Sequence, residues 1–135
     1  MSVLDRVVQT WRYLAVARGD ERHAEVTAAR LRELGADSEL ALAGFLHDRA
    51  KPRDTRLWHR VAGVLLRAVA PARRARLSRG GSTFARYLDH AARGADLARR
   101  EGRSQRVVRL IARHHEAPRD DDERLLARAD RQALP

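Results

Sequence analysis

The sequence predicts an all-α fold, formed by a single helical domain over residues 1–135. Apolar residues recur at intervals of three and four along most of the chain, which is the period of an amphipathic helix. No segment shows the strict apolar–polar alternation of a half-buried strand. A chain of 135 residues is long enough for one hydrophobic core. With 44% apolar but only 4% aromatic residues, that core must consist mainly of Leu, Val and Ala. We expect about seven helices.

The first three helices are located by their apolar spacing and by the residues that begin and end them. We expect the first over residues 3–17 and the second over residues 20–34, each followed by a glycine that favours termination. Ser38 is the expected N-cap of the third helix, which we extend to about Arg49.

A fourth helix and a basic connection follow. Asp54 is the expected N-cap of this helix, which continues to Val69 and is terminated by Pro71. The next stretch is loosely patterned and ends in two glycines, so we expect a mobile connection without helical structure. It contains four arginines: Arg73, Arg74, Arg76 and Arg79.

The last three helices each contain a histidine or a carboxylate beside the apolar stripe. One begins at Ser82 or Thr83 and contains His90. The next is capped by Ser104 and ends at a pair of adjacent histidines, and the last follows the acidic run 120–123 and contains Asp130.

Composition excludes some kinds of site and leaves others open. The chain has no cysteine, which excludes disulfides, thiolate zinc sites and a cysteine nucleophile. The formal charge of +10 indicates attraction to phosphates, nucleic acid or anionic surfaces, although an arginine-rich composition would produce the same number. Among 28 basic residues Lys51 is the only lysine, three positions after Asp48. We expect no signal peptide, because the sequence leads directly into an amphipathic pattern, and its longest apolar stretch is too short to span a bilayer. We therefore expect a cytoplasmic protein without membrane association.

His47 and Asp48 follow directly on the apolar run 40–46, which has the composition of a buried helix. An imidazole and a carboxylate buried without partners would destabilise the fold strongly. Five of the six histidines, together with Asp48 and Asp130, lie on or beside apolar stripes of separate helices. One divalent cation shared between them would satisfy these polar groups together.

This order of residues resembles the HD-domain superfamily of metal-dependent phosphohydrolases. The resemblance covers residues 22–131 and rests on five short motifs. These are Arg22–Val26, Leu46–Pro52, Asp89–Ala95, Ile111–Glu116 and Leu126–Asp130.

The resemblance implies a two-metal site and an all-α fold of the HD type. One ion would be held by His23, His47, Asp48 and Asp130, and Asp48 would bridge to a second ion held by His90, His114 and His115. Histidine and carboxylate ligands suit Fe, Mn, Co, Ni or Zn. The implied reaction is hydrolysis of a phosphate ester, such as a nucleotide or dinucleotide, by attack of metal-activated hydroxide.

Asp48 and Lys51 are the residues that the resemblance makes catalytic, with Lys51 neutralising charge on the substrate phosphate. The arginines between residues 73 and 79 would then form a phosphate-binding lid, or else a solvated basic surface. The implied partner is a phosphorylated small molecule.

Two other functions remain open from the sequence. Some relatives use a di-iron pair for oxygen-dependent cleavage, and the same ligand set would serve that chemistry. A third reading is a non-catalytic domain that binds anions or nucleic acid through its arginines and uses the metal for structure, although few aromatic residues are present for base stacking. A homodimer is a further hypothesis, with Trp11 and Tyr13 or the fourth helix as its face.

Overall fold

A computed structural model describes residues 20–133, with side chains described from Arg22 onward. The predicted first helix over residues 3–17, and with it the dimer face at Trp11 and Tyr13, lies outside the described residues. From residue 20 to residue 133 the regular structure is helical, without strands, which confirms the all-α prediction. In the same range no helix combines the length and the apolar character needed to cross a bilayer.

Eight helices occur within residues 20–133, two more than the six predicted there, since the first of the seven predicted helices covers residues 3–17. They are α1 (Asp20–Glu33), α2 (Ser38–Leu46), α3 (Leu57–Val69), α4 (Pro71–Leu77), α5 (Thr83–Leu88), α6 (His90–Arg100), α7 (Gln105–Arg113) and α8 (Asp121–Gln132). The excess has two sources. A helix occupies the predicted irregular connection, and a break at Asp89 divides one predicted helix into α5 and α6.

The third predicted helix begins and ends differently from the prediction. Asp37, not Ser38, is the N-cap of α2, because the Asp37 carboxylate accepts a hydrogen bond from the Leu40 amide at 2.9 Å. The helix ends at Leu46 rather than Arg49, so His47 and Asp48 lie in the turn that follows it. The amide of Arg49 bonds back to the Leu46 carbonyl, three residues earlier, which closes that turn.

The cap predicted for the fourth helix is also wrong. Arg56 is the N-cap of α3, and its amide donates to Nδ1 of His59 at 2.7 Å. The Asp54 carboxylate instead accepts from the Thr83 hydroxyl at 2.6 Å. The cap at Ser104 is as predicted, and of the two residues predicted to begin the preceding helix, Ser82 or Thr83, Ser82 is the cap. Each serine accepts from the amide three residues later.

The stretch predicted to be an irregular connection is helix α4. Helix α3 ends at Val69, before Pro71, as predicted. Pro71 is also the first residue of α4, where its fixed φ and missing amide hydrogen are tolerated. Arg74 packs inward and donates from Nη2 to the Leu88 carbonyl at 3.1 Å, whereas the other three arginines of this stretch are exposed.

The described residues fall into two units. We call residues 51–90 the arginine-rich unit, and residues 20–50 with 91–133 the core unit. The boundary between His90 and Ala91 lies at the start of α6. In the arginine-rich unit α3, α4 and α5 contact one another, and Gly63 of α3 leaves room for the Tyr87 ring.

The core unit is built around α2, which packs against α1, α7 and α8. Its apolar centre includes Leu31, Leu40, Leu46, Val107, Leu110, Ile111 and Leu126. Two glycines permit close approach: a Cβ on Gly44 would lie 2.3 Å from Leu31 Cδ1, and one on Gly94 would lie 3.2 Å from Ile111 Cγ2. The first contact holds the C-terminal end of α2 close to α1, and the second holds α6 close to α7.

Candidate metal centre

Six of the seven predicted metal ligands lie on, or directly after, four helices of the core unit. His23 belongs to α1 and Asp130 to α8, while the two adjacent pairs follow directly on the last residues of α2 and α7. Those pairs are His47–Asp48 and His114–His115. Because each pair follows a helix of the apolar centre, its side chains begin at the edge of that centre rather than on an outer face.

The first ligand group consists of His23, His47 and Asp130, whose ligand atoms lie within 4.8 Å of one another. Both imidazoles approach the same carboxylate oxygen: Nε2 of His23 lies 2.7 Å from Asp130 Oδ1, and Nε2 of His47 lies 3.1 Å from it. His23 and His47 are buried, and Asp130 is half-buried. Three donor atoms from three helices thus point at one location.

The second ligand group in the core unit contains Asp48, His114 and His115, again with ligand atoms within 4.8 Å of one another. Nε2 of His114 lies 3.3 Å from Asp48 Oδ1. The two histidine rings of the pair are 3.9 Å apart between centroids.

Asp48 connects the two groups through its two carboxylate oxygens. Oδ1 faces His114 of the second group, and Oδ2 lies 3.7 Å from Nε2 of His47 in the first group. The rings of His47 and His114 are 5.0 Å apart between centroids, so the two groups are neighbours. A carboxylate placed in this way can bind a different ion with each oxygen.

Three of the predicted histidine ligands each make the same kind of hydrogen bond, which the sequence pattern did not reveal. His47, His90 and His114 each place Nδ1 at 2.5–2.6 Å from the carbonyl of the residue three positions earlier. A carbonyl can only accept, so Nδ1 must carry the hydrogen and Nε2 is left to bind a metal. The detectable signal would have been their position, since each follows the last residue of a helix by one or two places.

A model of the HD domain family matches residues 20–133. The chain belongs to the HD domain family. Comparisons with curated proteins and with solved structures found no match for it.

The donor set of this HD domain fits a divalent metal on its own chemistry. Its donors are imidazole nitrogens and carboxylate oxygens without any thiolate, which suits Fe, Mn, Co, Ni or Zn. The carbonyl bonds to Nδ1 also match the usual support of metal-bound histidines.

The electrostatics of the first group favour a positive charge. Burial disfavours protonation of the His47 imidazole, but the carboxylates of Asp48 and Asp130 outweigh it and raise the pKa of His47 to about 9. Burial by itself would raise the pKa of the Asp130 carboxyl. The charge of His47 and the hydrogen bonds from His23 and His47 outweigh burial and hold that pKa well below its ordinary value.

A buried carboxylate outside the predicted set anchors the histidine pair of the HD domain. Glu123, in the first turn of α8, accepts hydrogen bonds from Arg113 Nε at 2.9 Å and from the Arg119 amide at 2.8 Å. Arg109 adds a third bond at 3.1 Å. The hydrogen bonds from the Arg113 side chain and the Arg119 amide lower the pKa of the Glu123 carboxyl, and the bond from the Arg113 side chain has the largest effect. Because Arg113 immediately precedes His114, this ion pair joins the end of α7 to the beginning of α8.

Several predicted site residues lie in the arginine-rich unit. Lys51, its first residue, is buried, and His90, its last, is buried with its Nδ1 bond to Tyr87. Their predicted contacts with a phosphate and a metal stay predictions. The same holds for a substrate contact by the four arginines Arg73, Arg74, Arg76 and Arg79.

His59, the one histidine outside the predicted ligand set, has a structural role. Its Nδ1 caps α3, and its ring lies 3.8 Å from the Trp58 ring between centroids. Burial lowers the pKa of His59. These contacts explain why the His59 side chain is buried, and no metal or substrate contact is needed to explain it.

Proposed function

We propose that this HD domain is a metal-dependent phosphohydrolase that acts on a phosphate ester, most simply a nucleotide or dinucleotide. The observation that supports it best is the placement of Asp48, whose two oxygens face one histidine of each ligand group. A carboxylate that bridges two ions is the arrangement needed when both metals act on the same phosphoryl group.

In this proposal two ions are held by seven side chains. His23, His47, Asp48 and Asp130 would hold the first ion, and Asp48, His90, His114 and His115 would hold the second. When bound, the metals would supply a water molecule with a lowered pKa as nucleophile and would polarise the phosphoryl oxygens. His90 enters by the family resemblance and by its Nδ1 bond, which presents Nε2 as the ligand atom.

The remaining chemistry is assigned to Lys51, whose ammonium group would neutralise charge on the substrate phosphate. It is the only lysine of the chain and is buried, so it offers a compact charge in surroundings that strengthen electrostatic interactions. Arg74, held on the Leu88 carbonyl, is the inward-facing member of the four arginines proposed as phosphate contacts.

The test begins with metal-free protein that is reloaded separately with Fe, Mn, Co, Ni or Zn. Phosphate release is then measured without oxygen on a panel of nucleotides and dinucleotides. We expect release only with metal, and a loss of about 100-fold or more in Asp48→Asn. Asp96→Asn is the matched control, since Asp96 is exposed and pairs with Arg99, and it should retain activity.

The other outcomes identify the competing functions. Turnover that requires both iron and oxygen would indicate the di-iron oxygenase. Full metal loading with no turnover of any substrate would indicate a structural metal. A folded His90→Ala variant should bind one ion fewer and lose turnover, and if turnover survived, the two-metal mechanism would be wrong.

A further inference from the structure

The positive charge of the chain is concentrated in one segment. Residues 51–90 contain ten of the 28 basic residues but only two of the 18 acidic ones, so this segment carries a net +8 of the total +10. Between residues 55 and 88 there are eight arginines and no carboxylate. In the core unit, by contrast, arginines such as Arg106, Arg109 and Arg113 are engaged with acidic side chains.

Exposed aliphatic side chains interleave with these arginines where α3 meets α4. Val69, the last residue of α3, is 79% exposed, and Leu65 one turn earlier is 46% exposed. On α4, Leu77 is 42% exposed and is one turn from Arg73, on the same side of the helix. We call the exposed side chains of this region the corner surface: Leu65, Val69, Arg73, Arg76, Leu77 and Arg79.

We propose that the corner surface docks the protein on a membrane that contains anionic lipids. The arginines would bind lipid phosphates while the aliphatic side chains enter the boundary between headgroups and acyl chains. Such docking is peripheral and needs no spanning helix. It departs from the expectation of no membrane association, which rested on the lack of an apolar stretch long enough to span a bilayer.

Charge favours this occupant over two alternatives, a second copy of the chain and the chain's own first 19 residues. A second copy would bring a second strongly basic segment against the first, which is repulsive. The first 19 residues of the chain carry three arginines and a single aspartate, so their net charge is positive as well.

A nucleic acid has the right charge but does not use the apolar part of the surface. Residues 65–79 contain no aromatic side chain on which a base could stack. Three exposed aliphatic side chains would have no partner in a phosphate-backbone complex, whereas a lipid surface binds both kinds of group.

The test is co-sedimentation of the full chain with vesicles of phosphatidylcholine alone, or of phosphatidylcholine with phosphatidylglycerol. We expect binding to the mixed vesicles only, weakened by added salt. The double variant Arg73→Gln with Arg76→Gln should reduce the partition coefficient of the protein onto mixed vesicles about 30-fold. This factor corresponds to the loss of about 1 kcal/mol of lipid attraction for each arginine. Val69→Ser should weaken binding at high and low salt alike, because its contribution is apolar.

The matched control removes the same charge elsewhere. Arg99→Gln with Arg124→Gln lowers the net charge equally on exposed helices of the core unit, and should leave vesicle binding nearly unchanged. Thermal melts establish that each variant is folded.

Four results would overturn the proposal. These are no binding to mixed vesicles, equal binding to neutral vesicles, an equal loss in the control variant, and a Val69→Ser variant that binds like the parent. Arginine-dependent binding of single-stranded nucleic acid with no vesicle binding would assign the surface to nucleic acid. A self-association that Val69→Ser abolishes, again without vesicle binding, would assign it to a second copy.

Discussion

Gly44→Ala tests whether the close packing of α2 on α1 positions the candidate metal ligands. Gly44 lies in α2, three residues before His47, and its carbonyl accepts the hydrogen bond from His47 Nδ1. A Cβ at this position would lie 2.3 Å from Leu31 Cδ1, whereas carbon atoms in contact are about 3.5–4.0 Å apart. Leu31 is fully buried, so its methyl group has no open space into which to move.

Two opposing effects decide the magnitude. Replacing glycine by alanine inside a helix contributes about 1 kcal/mol of stability through propensity. Overpacking a filled core costs about 1–3 kcal/mol. Because the overlap exceeds 1 Å against a buried side chain, we expect overpacking to dominate, with a net loss of about 1–2 kcal/mol. We also expect weaker metal binding, by about tenfold, because the Gly44 carbonyl and His47 move together.

Urea unfolding of the metal-free protein measures the packing effect separately from metal binding. Gly81→Ala is the control, since a Cβ there meets no atom within 4 Å, and its stability should change by no more than about 0.5 kcal/mol. Leu31→Ala should cost about 1–2 kcal/mol less in the Gly44→Ala background than in the parent, because it removes the clashing methyl group. Equal costs in both backgrounds, or a Gly44→Ala variant as stable as the parent, would refute the reasoning.

Three further predictions concern the core unit. Glu123→Gln should destabilise the protein by about 2 kcal/mol at neutral pH, because it leaves Arg113 without its buried partner. The pKa of the Glu123 carboxyl in the folded protein lies below its ordinary value of 4.5. The carboxylate therefore stabilises the fold above pH 4.5, and this contribution is lost as the pH falls from 4.5 through the folded-state pKa. The urea midpoints of parent and variant should accordingly converge in acid. A divalent metal at 100 times its Kd should raise the free energy of unfolding by about 2.7 kcal/mol. Calorimetry should show no such increase for His47→Gln. Asp37→Ala should cost at least about 1 kcal/mol in thermal melts and Ser38→Ala much less, since Asp37 is the N-cap of α2.

Helix positions were predictable where one local signal dominated. The cap at Ser104 was predicted correctly, because a serine hydroxyl and the amide three residues later are close in sequence. Ser82 was one of two adjacent candidates, and the structure selects it over Thr83. At Asp37 and Ser38 two capping residues stand side by side, and local preference did not distinguish them. Asp37 also accepts a bond from Arg106, far along the chain, and this distant partner favours its position at the cap.

Helix α4 was missed because its stretch has no apolar stripe to reveal a helical period. Its residues are mostly exposed, so little of the helix contributes to a core that periodicity could detect. The inward bond from Arg74 to the Leu88 carbonyl joins residues fourteen apart, and no local pattern contains it.

The sequence by itself determined the helical class and the residue types available to a metal. Apolar spacing is a local property, and a chain without cysteine can offer only nitrogen and oxygen donors at such a site. The order of histidines and aspartates also sufficed for the family, since each motif is contiguous.

Tertiary structure alone decided how those side chains are aimed. The two oxygens of Asp48 face different histidines only because α2 and α7 end side by side. The approach of α2 to α1 depends on Gly44 leaving room for Leu31, two residues that pack together although they are distant in sequence. Orientation of a ligand depends on distances between helices, and those are set by packing across the core rather than by the spacing of residues along the chain.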